Sequence, residues 1–271
     1  MNTEERATLR IQRDYKVVKA NNIIQRARYD LSIQELKILA FLFSMIKPTD
    51  HPGTMYTFKM ADFCRISGIK QRSGTYYNQI KRALKGLADK SFWAADDKGR
   101  EVLIRWIDDV IVDRSGAKIT VKFHQTIEQY IHGLFQNYTE YTLLSTLPMR
   151  SAYSFRLYEI LKSYAYMKKY EVDLDLLKQQ LIVGQRYDNF KDFRKKILEV
   201  ALKEINAYTD LIVNYDTVKE GKRVVSLVFH IAQRDIFDYA IARQKINHAL
   251  DEGQQLSIFD FIPEDKHKGE M

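Results

Sequence analysis

One cysteine in 271 residues, Cys64, excludes a disulfide framework and any zinc site built on several thiolates. It reads instead as a small core residue in a reducing compartment. Four prolines and eleven glycines are too few for a collagen-like or linker-dominated chain. No apolar run reaches the roughly eighteen residues that a membrane helix needs, and the polar stretch Met1 to Arg13 lacks the apolar segment of a signal peptide. The expectation is therefore a soluble, cytoplasmic protein. Catalytic signatures are missing too. There is no Gly-x-x-x-x-Gly-Lys-Ser/Thr phosphate loop and no Gly-x-Ser-x-Gly elbow. The histidines (His51, His124, His132, His230, His248, His267) form no His-x-His or His-Glu-x-x-His pair, so neither a rolling-circle nickase nor a metalloprotease is expected. Asp108, Asp109, Asp173 and Asp175 fit strand-end and helix-cap roles better than metal ligation. No catalytic residue, metal or cofactor is expected.

A core is well supplied at 45% hydrophobic residues, and the charge is unevenly placed. The net charge is +8, but residues 251–271 hold six acidic and two basic side chains, a net −4. Residues 1–250 therefore carry +12. A basic body with a short acidic tail suits a polyanionic partner, or else a basic surface kept for solubility.

The same order of elements occurs twice. In the first unit, Ile33, Leu36, Leu39, Ala40 and Phe43 have helical spacing, behind a capping box of Ser32 and Glu35. A strand over Met55–Lys59, a short helix over Ala61–Ile66 and a longer one over Thr75–Lys90 follow. Strands near Phe92, over Val102–Ile107 and over Lys118–Phe123 close the unit. In the second unit, Phe155–Tyr164 is helical, Lys169–Asp173 a strand and Leu174–Leu181 a helix. A long helix over Asn189–Asn206 then leads to a hairpin turning at Lys219–Lys222. Helix, strand, helix, helix, hairpin is the order of a winged helix, whose third helix enters the DNA major groove while the hairpin wing lies on the backbone. The fold class expected is α+β, with two tandem winged-helix domains related by an internal repeat. The domains expected are a flexible N-terminus (1–14), a first winged helix (15–135), a second (136–245) and a flexible acidic tail (246–271).

The third helices carry the candidate binding residues. On the first, Asn78, Lys81 and Arg82 lie opposite the stripe of Ile80, Leu84 and Leu87. The entry from Lys70 through Arg72 to Thr75 is a polar, basic helix N-terminus of the kind that holds phosphate. On the second, Phe190, Phe193, Ile197, Ala201 and Ile205 face inward, with Arg186, Asn189, Lys191, Arg194, Lys195 and Lys196 at the entry or facing out. A helical wheel puts Arg194 nearer the apolar arc than Lys195, so it must snorkel outward. Lys219, Lys222 and Arg223 on the wing are phosphate-contact candidates. Either set is also compatible with a merely solvated face.

The segment from Phe190 to Asn206, with Ser154-Phe-Arg-Leu-Tyr-Glu-Ile-Leu and the opening Val17-Val-Lys-Ala-Asn-Asn-Ile-Ile, resembles the twin winged-helix plasmid replication initiators, the RepB/RepA-type Rep proteins. The likeness runs from about residue 15 to 235. It implies binding of direct repeats (iterons) in double-stranded DNA at a plasmid origin, mostly as a monomer. It also implies opening of an adjacent A·T-rich element and recruitment of host replication proteins, including the replicative helicase. As a dimer joined through the first domain, such a protein represses its own gene at an inverted repeat. By position, Arg194, Lys195 and Lys196 would read bases, and nucleoid or plasmid association would follow. In the tail, Gln255-Leu256-Ser257-Ile258-Phe259 resembles the pentapeptide by which bacterial proteins bind the DNA polymerase sliding clamp, differing only at Ile258. A winged-helix repressor without an initiator role, and an adaptor without DNA, are the competing readings. The clamp-like tail disfavours the first and the basic third helices disfavour the second.

Overall fold

The computed structural model describes residues 3–69, 75–95, 99–113, 118–184 and 187–254. Two three-stranded antiparallel sheets carry the internal repeat. The first half runs α3 (Ile33–Ser44), β2 (Met55–Lys59), α4 (Met60–Ile66), α5 (Thr75–Asp89), then β5 (Ile107–Val112) and β6 (Lys118–Phe123), with sheet order β2-β6-β5. The second half runs α7 (Ala152–Ser163), β8 (Lys169–Asp173), α8 (Leu174–Gln180), a long third helix, then β9 (Leu211–Glu220) and β10 (Arg223–Gln233), with order β8-β10-β9. Each sheet thus places its last strand in the middle, which is the winged-helix topology, and the chain is α+β with two tandem copies. The predicted capping box is formed. The Ser32 hydroxyl accepts from the Glu35 amide, and the Glu35 carboxylate accepts from the Ser32 amide at 2.6 Å.

An inserted hairpin distinguishes the first half. The stretch read as one strand, Val102–Ile107, is two. β4 (Glu101–Arg105) pairs with β3 (Ser91–Ala95), whereas Ile107 opens β5 and joins β6. The break falls at Trp106, which is fully buried against Tyr29 and Phe92 and so turns the chain inward between two sheets.

The expected boundaries need correction. Residues 1–14 were expected to be flexible, but Thr3–Arg13 form α1, with Leu9 buried and Arg13 fully buried. A boundary after residue 135 would cut a sheet, since β1 (Lys16–Ala20), which leads into α2 (Asn21–Gln25), pairs with β7 (Tyr138–Thr142), which follows α6 (Gln125–Glu128). The stretch from 246 is not all tail: α11 runs Ile236–Asp251 and buries Ile246, Ala249 and Leu250.

Charge is buried where the halves meet. Lys19 of β1 and Arg156 of α7 both reach the Glu159 carboxylate, at 2.5 and 3.0 Å, and the Tyr141 hydroxyl donates to it at 2.6 Å. Arg156 also bonds Tyr29 and donates to the carbonyls of Ile24 and Ala27. Burial alone would raise the Glu159 carboxyl, but Lys19 and Arg156 outweigh it and hold it below the ordinary carboxylate range. Removing one partner from such a set strands a charge out of water, so the set fixes how α7 sits on the first half.

Candidate nucleic-acid interface

The site in the second half is built on the third helix and the wing. Asp173 caps α8 by accepting from the Leu176 amide at 2.8 Å, which starts the turn leading to the third helix. That helix opens as α9 (Phe190–Phe193), passes through one π turn (Arg194–Leu198) and continues as α10 (Glu199–Tyr208). Phe193, Ile197, Ala201 and Ile205 are buried, as their spacing requires, while Lys191, Arg194, Lys195 and Lys196 are exposed. Arg194 does not lean into the core as a uniform α-helical wheel implied. The π turn inserts an extra residue per turn and re-aims the side chains at its start.

The wing is a long hairpin whose outer half stands clear of the core. Residues 216–223 are exposed throughout. At its tip the paired residues Glu220 and Arg223 flank Gly221 and Lys222. Gly221 has φ +60° and Lys222 does not have positive φ, the pattern of a type II′ turn, whose first position favours glycine. This turn projects Lys222 outward. Between wing and third helix lies a groove of about 530 Å³, lined by Lys178, Asn189, Arg194, Lys219, Lys222 and Arg223, together with the acids Asp175 and Asp188. The structure thus brings together five of the residues singled out in the sequence. It adds Lys178 of α8, which donates to the Asp188 carbonyl at 2.8 Å with its ammonium 5.6 Å from the Phe193 ring centre. Sequence reasoning passed over Lys178 because the groove forms only when α8 and the wing meet. Its spacing before the third helix is the one available signal.

Two contacts temper the cationic face. Arg223 pairs with Asp175 at 3.3 Å, and Arg194 pairs through Nε with Glu199 at 3.3 Å. Asn189 acts as a helix cap: Oδ1 accepts from the Asp192 amide and Nδ2 donates to the Asp192 carboxylate, both at 2.8 Å.

In the first half, α5 exposes Asn78, Lys81, Arg82 and Lys85 at helical spacing. Lys81 lies over Tyr77, and Lys85 pairs with Asp89 one turn on. Ile80, Leu84 and Leu87 are buried behind them. Lys70, Arg72, the Thr75 side chain, Arg186 and the pentapeptide 255–259 lie outside the described residues. No helix among the described residues is long and apolar enough to cross a membrane.

Residues 16–162 match the family described as "Initiator Replication protein, WH1", and residues 173–231 match "Initiator Rep protein, WH2". The chain belongs to the initiator Rep family. Its two matched segments divide between Lys162 and Asp173, which puts β7 and α7 with the first family domain. A "Replication initiation protein" from Escherichia coli is 24% identical over 226 residues, covering 79% of this chain and 69% of that protein. An "Uncharacterized 27.6 kDa protein" of Escherichia coli is 22% identical over 228 residues, covering 78% of this chain and 93% of that one. Winged-helix DNA binding and replication initiation are the properties of this initiator family, and in this chain the groove between helix and wing of the second half is lined by Lys178, Arg194, Lys219, Lys222 and Arg223.

Proposed function

We propose that this initiator binds direct repeats in the double-stranded DNA of a plasmid origin, helps open the adjacent duplex and brings host replication proteins to it. The observation that carries the reading is the groove of the second half, where Arg194 on the third helix faces a wing tipped with Lys219, Lys222 and Arg223. Arg meets guanine O6 and N7 in the major groove with two hydrogen bonds, while wing lysines hold phosphate. In this reading Arg194 reads a base, with Lys191, Lys195 and Lys196 beside it. Asn78, Lys81 and Arg82 of α5, and the entry with Lys70, Arg72 and Thr75, engage the other end of the repeat. Arg186 belongs to the entry of the second reading helix. The replicative helicase and, through Gln255 to Phe259, the sliding clamp are the host partners.

Dimerisation and self-repression form the second half of the proposal. In the first half Trp93 and Leu103 are cross-strand neighbours on β3 and β4, 59% and 43% exposed, and Ile111 on β5 is 57% exposed. Such apolar side chains on strands support a self-association surface.

Footprinting on the DNA around the gene tests the whole reading. Protection of several direct repeats, and loss of plasmid maintenance when they are deleted, is the expected result. Protection confined to one promoter inverted repeat, with maintenance unaffected by repeat deletion, would favour a repressor without an initiator role.

A further inference from the structure

We infer that Glu199 is a positioning residue for Arg194, tied to it by the π turn of the third helix, and that it thereby sets the base preference of the second winged helix. This rests on the proposal that Arg194 reads a base. Two bonds join the same pair of residues. The Glu199 amide donates to the Arg194 carbonyl, the i to i+5 hydrogen bond that defines a π turn. The Glu199 carboxylate meets Arg194 Nε at 3.3 Å. In an α-helix, residues five apart lie about 140° round the axis and do not meet. The wider turn brings them onto one face. Remove the π turn and this ion pair goes with it.

The atom used matters. Glu199 engages Nε, which leaves the two terminal amino groups of Arg194 as the fork that meets guanine O6 and N7. A long arginine on an exposed helix face otherwise samples many rotamers, and planar recognition requires one. Glu199 is 44% exposed in its side chain and beside the groove, so its carboxylate opposes phosphate rather than binding it. An acid in that place weakens non-specific attraction and stands against the +12 of the body. The wing takes part as well. The Tyr215 hydroxyl on β9 is pushed up by burial and then by the Glu199 charge, with Arg194 opposing, which places all three groups at the junction of helix and hairpin.

The test compares Glu199→Gln, Arg194→Ala and the double variant with the unaltered chain. The probe is a duplex carrying one footprinted direct repeat, and the same duplex with each G·C pair replaced in turn by A·T. At fixed salt, Arg194→Ala abolishes discrimination at one position. Glu199→Gln is expected to lower discrimination at that same position by about fivefold, a fraction of what a bidentate arginine supplies. Its affinity for unrelated DNA holds or rises, because a negative charge has been removed. In the double variant Glu199→Gln adds nothing further, since the side chain it positions is gone. Unchanged melting temperature separates this from a fold defect. Glu199→Gln tightening all duplexes alike, with discrimination intact while Arg194→Ala collapses it, would show a purely repulsive role and overturn the inference. If Arg194→Ala itself leaves discrimination intact, the base-reading assignment fails and Glu199 falls with it.

Discussion

Lys37 illustrates what burial does to a single charge in this fold. It stands on α3, near Glu204 and Arg150 of the second half, and burial pulls its ammonium down to about 8, against the partial support of Glu204. A lysine with a native pKa below its unfolded value binds fewer protons in the folded state between the two. Stability from this group therefore rises as pH climbs from about 8 toward the ordinary lysine value, and below 8 the group is a standing cost. Lys37→Met should stabilise the protein at pH 7 by about 1–2 kcal/mol, with the gain fading by about pH 10.5. Thermal melts at the two pH values check it; destabilisation at pH 7 would mean that Glu204 needs the charge. Arg194 and Lys222 differ in another way. Arg194→Ala should cost about 1–3 kcal/mol on the repeat and relax preference at one base pair. Lys222→Ala, at the exposed wing tip, should weaken all duplexes alike and shrink the salt slope by about one. Gel shifts across a salt series distinguish the two, and equal effects on matched and mismatched DNA from both would remove Arg194 from base readout.

Elements differ in how openly the sequence declares them, and the reason is where their apolar groups go. α5 and the first turns of the third helix of the second half each bury one stripe, so 3.6-residue spacing reveals them, whereas α3 is buried on nearly every side and is declared by a capping box that closes as written. α1 was illegible because its deepest residue is Arg13, a charge that periodicity assigns to water. α11 was obscured by the opposite fault: Ile236, Phe237 and Ile241 are exposed while Ala242, Ile246 and Leu250 are buried, so its apolar residues cover two faces. The π turn left no trace in residue type, and Lys178 belongs to the groove only through packing. Most of the cations that line the groove are singled out by the sequence; the π turn that begins at Arg194 is not. Gly86 carries a further prediction at this scale. It lies in α5 where the N-terminus of α3 crosses, and a Cβ there would overlap the Glu35 carboxylate, 3.0 Å from its Cδ. That carboxylate already serves the cap and pairs with Lys90 at 2.7 Å, so it is poorly able to move. Gly86→Ala in a helix should gain about 1 kcal/mol from propensity. Here it should instead destabilise by about 1 kcal/mol, because the cap and the half-buried pair with Lys90 are both disturbed. A denaturant melt showing net stabilisation would mean Glu35 swings aside freely.

The whole molecule is held as one body by contacts that run from its last described helix back to its first. Arg13 is the centre. Its guanidinium donates to the carbonyls of Ile66 and Arg65 at 2.9 and 3.0 Å, to Asn247 Oδ1 at 3.0 Å and to Asp251 at 2.7 Å. Arg10 and Arg6 pair with Asp251 and Glu252, and Arg243 with Asp14. Gly68, at φ +67°, lets the turn after α4 approach so closely that a Cβ would lie 2.9 Å from the Leu250 Cα. α11 thus starts at the second sheet and ends packed on α1 and α4 of the first half, while Glu159 and its buried partners hold the other side. With α5 and the third helix of the second half fixed in this way, the proposed binding of a direct repeat should engage both together, one chain per repeat, because the second contact then costs no further association entropy. Arg13→Ala would leave the buried Asp251 carboxylate with the half-exposed Arg10 as its remaining arginine and release α11, at a cost of about 3 kcal/mol. Its affinity for a full repeat should fall far more than its affinity for a duplex cut to the half that the second domain footprints, since only the full repeat uses the coupling. Light scattering of the unaltered chain on a single repeat, with the two affinities measured side by side, decides it. A complex holding two chains would contradict the single-chain arrangement, and an equal loss on full and half duplexes would show that α11 supports the fold without coupling the two halves on DNA.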